Sequence, residues 1–184
     1  IARGGLPQIL TRPLVSDMNL ARPFQLGEMK SAKALFNAPA EQQLKIYADP
    51  AFRAAFKEEL KQGRKWSSKG ITVFKVSNPK LKQFEGATIG DIAQNLNKDP
   101  DTVFFDMAVE DKLEMKCVVP RANTDRARIA EVLNDNRTLI GLSDAGAHVD
   151  MFAEAGYTTY LLGHWVRDKQ ALTMEAAIQR VTQH

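Results

Sequence analysis

Two polar side chains, Asp144 and His148, stand where an apolar run gives way to a bend: Ser143-Asp144-Ala145-Gly146-Ala147-His148. The run before them, Leu139-Ile140-Gly141-Leu142, has the short, continuously apolar character of a strand buried in a parallel sheet. A carboxylate at the C-terminal end of such a strand is held in place and partly shielded from water. There its attraction to a metal ion or to a developing charge is strengthened. His148, four residues on, can supply a second polar group. Plainer readings fit as well: Asp144 as the cap of the turn, His148 as a hydrogen-bonded core histidine. The spacing Asp-x-x-x-His does not choose between them.

The elements that must position these groups follow from periodicity and punctuation. Leu6 to Thr11 reads as a strand closed by Arg12-Pro13, and residues 16–27 as a loop marked by Pro23 and Gly27. Helical spacing runs from Glu28 to Phe36 and from Ala40 to Ala48. Asp49-Pro50 opens a further helix that ends at Gly63 and turns Phe52, Ala55, Phe56 and Leu60 to one side. Ile71 to Val76 is β-branched and aromatic, hence a strand. Thr88 and Asp99-Pro100 cap two more helices. Met115 to Val119 is a buried strand ended by Pro120, and Thr124 caps a helix carrying Ile129, Val132 and Leu133. Closing helices span about Tyr157 to Lys169 and Thr173 to Thr182. Strands alternating with helices point to an α/β fold with some parallel sheet, whose chemistry belongs at strand C-terminal ends.

Composition narrows the partners. The chain has 184 residues, 44% of them hydrophobic and 26% charged, which is globular rather than disordered. No apolar run reaches the roughly 20 residues a bilayer demands, so no membrane partner is expected. One cysteine, Cys117, excludes an internal disulfide and a thiolate zinc cluster built by this chain alone, and a reduced, cytoplasmic setting is expected. A net charge of +3 is too small for a general nucleic-acid binder. The excess is local: Lys57, Lys61, Arg64, Lys65, Lys69, Lys75, Lys80 and Lys82 face only Glu58 and Glu59, with Trp66 and Phe74 among them. Interleaved cations and rings can hold single-stranded nucleic acid. No second cationic track joins this one, so it reads as a solvated face whose lysine stems lie over apolar surface, with no nucleic-acid partner.

The segment GLSDAGAH, followed by YLLGHWVR within Leu139–Thr182, resembles the C-terminal part of the amidohydrolase superfamily. The branch it is most similar to holds N-acyl-D-amino-acid deacylases and the related amidohydrolase family 3. The stretches PQILTRP and ARPF, the helix start at Asp49-Pro50 and the segment from Asn78-Pro79 to Gly86 are similar too. The resemblance implies a partial (β/α)8, TIM-like barrel made of its C-terminal strands and helices, with an inserted α+β segment at about 64–120. It implies a zinc-dependent hydrolase, with one or two divalent ions, acting on a non-peptide C–N bond of an N-acyl amino acid or related amide. Asp144 matches the aspartate at the end of the eighth barrel strand, which touches the metal and carries the proton to the leaving nitrogen. His148 would orient Asp144 or touch substrate. Gln8, Arg12 and Ser143 would line the same mouth and meet the substrate.

The family's other metal ligands, a His-x-His pair above all, have no counterpart here: the only histidines are His148, His164 and His184. Zinc needs three or four protein ligands. The expectation is therefore a chain that supplies the aspartate while the ligand histidines come from elsewhere in a longer protein. The opening resembles the turn into an inner barrel strand, and family members usually continue beyond a point matching His184. A barrel takes about 250 residues, so an incomplete layer would cover its edges by self-association. The competing expectation is a catalytically inert α/β fragment or protein-interaction module. Trp165, Leu161 and Leu162 are expected to be scaffold, and Met107, Met115 and Met151 core filler.

Overall fold

The computed structural model describes residues 5–63, 66–141, 143 and 154–182. The fold is mixed α/β, and the chain divides into two compact units, one made of residues 1–16 and 120–184, the other of 17–119. The interval of about 64–120, expected as an excursion, overlaps the second half of the latter. Among the described residues there are two small sheets and no closed barrel. No helix there is long and apolar enough to cross a membrane.

In unit 17–119, helices α1 (Ala40–Ala48) and α2 (Pro50–Lys61) meet at Asp49. Its extended backbone closes α1, and its carboxylate accepts from Ala51 N–H, one of the orphan donors of α2. Pro50 has no donor to lose at that position. Helix α2 ends at Lys61 with Gln62 as its cap, and the chain then turns at Gly63, whose φ of +91° favours glycine. Helices α3 (Ile89–Leu96) and α4 (Pro100–Glu110) start the same way, with Thr88 accepting from Asp91 N–H and Asp99 from Thr102 N–H.

The four helices bury a cluster of rings. Phe105 is at its centre, stacked on Tyr47 at 5.6 Å and met edge-on by Phe52 and Phe56 at 5.5 and 5.2 Å. Tyr47 satisfies its hydroxyl by donating to Leu20 C=O at 2.9 Å. Phe52 and Phe56 are buried as expected, but Ala55 is exposed.

Strand β3 (Thr72–Lys75) runs antiparallel to β4 (Lys116–Ala122), which lies between β3 and β2 (Leu14–Met18). The segment 16–27 was expected to be all loop. Its first residues instead complete β2, because Ser16 and Met18 point inward and Asp17 outward. A serine at an inward position breaks the apolar alternation by which a strand is read from sequence. Arg121 Nε donates to that buried Ser16 hydroxyl at 2.8 Å. Strand β4 also runs past Pro120. Pairing with β3 stops at Val118, so no bond to β3 is lost at the residue that lacks a donor.

The other unit is built on β1 (Gln8–Ile9) and β5 (Leu139–Ile140), a parallel pair in the register Gln8↔Leu139 and Ile9↔Ile140. Helix α5 (Arg126–Leu133) is capped by Asp125, which accepts from Ala127 and Arg128 N–H, and not by Thr124. Both residues can cap, but only the aspartate side chain reaches the orphan amides here. Helix α6 (Tyr157–Tyr160) continues as a π-helix, Leu161–Asp168, and α7 (Met174–Thr182) follows. Ile129, Leu133, Ile140, Leu161, Trp165, Leu172 and Ala177 form the core.

Candidate functional site

The parallel pairing of β1 with β5 means that the chain leaves both strands from the same edge of the sheet, into Leu10 after β1 and Gly141 after β5. That edge is the strand C-terminal end, where open α/β sheets place their ligands. Ile140 is buried in one core with Ile129 and Leu133 of α5, Leu161 and Trp165, which anchors β5. Thr138 anchors the other end of the strand, donating to Val132 and Asp135 C=O at 3.0 and 2.9 Å and accepting from Arg180 Nη2 at 2.7 Å. Ser143 is half-buried. Asp144 and His148 lie outside the described residues, as does Met151.

The chain leaving β1 is tied to the helix Tyr157–Asp168. Thr11, fully buried, donates through Oγ1 to Tyr157 C=O at 2.8 Å, and Thr11 C=O accepts from Trp165 Nε1. These bonds set Arg12 beside the helix, its guanidinium 5.6 Å from the centroid of the Tyr160 ring. Tyr160 in turn stacks on His164 at 4.7 Å, and Trp165 meets His164 edge-on at 4.9 Å. Arg12, Tyr160 and His164 thus form a row at the C-terminal end of β1. His164 Nε2 is buried and has no hydrogen-bond partner. Burial lowers the His164 pKa, and the cations Arg126 and Lys169 act in the same direction, against Asp168. The imidazole therefore prefers its neutral form.

Gln8 does not join that row. It is exposed and lines a groove of about 510 Å³ with Leu10, Asp125, Arg128 and Val132. In that groove Asp125 is already engaged as the cap of α5, and Arg128 pairs with Glu131 at 2.8 Å.

From the sequence His164 reads as one more helical residue, and Thr11, Tyr157 and Tyr160 carry no sign of a role in a site. The usable signal was the spacing of Tyr157, Tyr160 and His164, which puts all three on one side of a helix. Nothing in the sequence foretells that the helix widens to π geometry at Leu161. Such widening is rare and recurs at functional positions.

A zinc centre does not fit the residues described. Among them no group of three His, Cys, Asp or Glu side chains converges. His164 is stacked on Tyr160 and met edge-on by Trp165, and Cys117 is buried in the other unit. The chain matches no protein-family model, no curated protein and no solved structure.

Proposed function

We propose that this chain forms the C-terminal part of a hydrolase of the amidohydrolase family-3 type, acting on the C–N bond of an N-acyl amino acid or a related amide. In this reading β1 and β5 are neighbouring strands of a partial (β/α)8 barrel, and the mouth lies beyond Arg12 and Ser143. Asp144 takes the proton of the attacking water as oxygen adds to the amide carbonyl. It then returns that proton to the leaving nitrogen, so that a carboxylic acid and a neutral amine depart. His148 orients Asp144, Ser143 and Arg12 meet the substrate's polar groups, and Gln8 acts at the rim. Asp144 would touch the zinc, as one or two ions, and the ligand histidines would be supplied from elsewhere in a longer protein.

The observation that supports this reading is the parallel register of β1 and β5, by which the chain leaves both strands at the same edge of the sheet. In the longer protein, Asp144→Asn is expected to lower kcat for N-acyl amino acid hydrolysis by about two orders of magnitude or more, with KM little changed. Turnover equal to the parent overturns the assignment. The purified 184-residue chain, assayed by plasma mass spectrometry, is expected to carry substoichiometric zinc.

A second reading, a module that binds another protein, draws on the exposed Met174 and Ile178, one turn apart on α7. It predicts that Asp144→Asn changes nothing while Ile178→Asp abolishes partner capture.

A further inference from the structure

We propose that the outward face of β3–β4 in unit 17–119 is a docking site for an acidic peptide segment that carries an apolar side chain next to its carboxylates. This inference is independent of the hydrolase reading. It starts from an irregularity in the ladder. Val73 pairs with Cys117 and Lys75 with Lys116, so Phe74 is an extra residue on β3. In a bulge two residues oppose one, and the inserted side chain is re-aimed. Here Phe74 is turned out to solvent and is 66% exposed, while Val73 and Cys117 behind it are buried. Lysine stems do not cover the ring, contrary to the expectation for this basic stretch.

The bulge also sets a charge problem. Lys75 and Lys116 lie directly opposite each other on the exposed face, an arrangement that like charges disfavour. Among the described residues neither one has an ion-pair partner, and nor does Lys82, which lines the same groove of about 450 Å³ as Phe74 and Lys75. An apolar ring framed by three unpaired ammonium groups is complementary to a ligand that is apolar at one point and anionic around it.

Glu85 favours a peptide over a polyphosphate. Its carboxylate sits in the groove and accepts from Val76 N–H at 3.0 Å. It repels any anion set against it, so a ligand must keep its charges at Lys75, Lys82 and Lys116 and offer Glu85 a donor, which a peptide N–H supplies and an ionised phosphate does not. The cationic set is also compact, whereas a nucleic-acid strand needs a track of about four or more nucleotides.

The test uses the full chain and three fluorescein-labelled probes followed by anisotropy: a peptide of alternating glutamate and leucine, a glutamate–glycine peptide of equal charge, and an oligothymidylate. The glutamate–leucine peptide is expected to bind, and to weaken as NaCl rises from about 50 to about 300 mM. Phe74→Ala and Lys75→Glu are each expected to weaken it by about tenfold. Both side chains are exposed, so circular dichroism should not move; the melting temperature should hold for Phe74→Ala and hold or rise slightly for Lys75→Glu, which sets a carboxylate opposite Lys116. If either variant fails to fold, Lys82→Glu reads the same surface and is expected to weaken binding too. Absence of binding, equal affinity for the glycine peptide, tighter binding of the oligothymidylate, or variants that bind like the parent would each overturn the proposal.

Discussion

At the scale of single residues, the chemistry of a side chain is decided by what surrounds it, and two groups illustrate opposite outcomes. Cys117 lies within the apolar strand Met115 to Val119 and is buried. Burial, with the nearby Asp111 carboxylate as a lesser cause, pushes its pKa up to about 12. The thiolate is the reactive form. Cys117 is therefore expected to resist a disulfide reagent at about pH 8 until denaturant is added. Fast labelling of the native chain would contradict the burial. His164 was not legible as special, because its unpartnered Nε2 follows from packing against Tyr160 and Trp165 rather than from its neighbours in sequence. Its pKa is lower folded than unfolded, so on acidification the unfolded chain binds the proton first. The neutral histidine's contribution is complete well above the unfolded value of about 6.5 and is lost as pH falls below it. The parent is expected to lose stability between about pH 7 and 5 faster than His164→Gln, measured by urea unfolding at each pH. The same slope for both would show that His164 does not carry the effect.

At the scale of elements, capping was the most legible signal, because an Asp-Pro or Thr start states its own physics locally. The Asp49-Pro50, Thr88 and Asp99-Pro100 starts all appear where the sequence puts them. What escaped were features set by distant partners. Strand β2 is disguised by inward Ser16, the bulge at Phe74 exists only against β4, and Glu28–Phe36 closes as a 3-10 turn over Ser31–Leu35 rather than an α-helix. There Glu59, from α2, caps the backbone N–H groups of Lys30 and Ser31 at 2.8 and 2.6 Å, a contact no local pattern announces. Gly90 is another such case. It reads as an ordinary weak helix former, yet a Cβ at this position would stand 2.9 Å from Lys69 C=O. Gly90 N–H also donates to that carbonyl at 3.0 Å. The backbone must shift to admit a methyl group, so Gly90→Ala is expected to cost about 1–3 kcal/mol despite alanine's better helix propensity. A variant as stable as the parent in urea would show that the contact relaxes freely.

At the scale of the whole molecule, the alternation of strands and helices conveyed the mixed α/β class, but not the division into two units, since that depends on which distant segments share a core. Each unit holds one of the chain's two tryptophans, Trp66 against Phe56 and Phe104, and Trp165 beneath Thr11. Single-tryptophan variants therefore report the units separately. With Trp66→Phe the fluorescence follows Trp165, and with Trp165→Phe it follows Trp66. The second probe is expected to show the higher urea midpoint, because the core around Phe105 gathers more buried side chains than the one around Ile140. Coincident midpoints would mean that the units unfold as one. The pairing of Gln8 with Leu139 has a further consequence for biosynthesis. As the polypeptide leaves the ribosome, β1 emerges well before β5, its partner among the described residues, and residues 17–119 are free to fold in the interval. Completing that intervening unit shortens the span that the two strands must close, so a lesion in its core would delay the meeting of β1 and β5 without touching either strand.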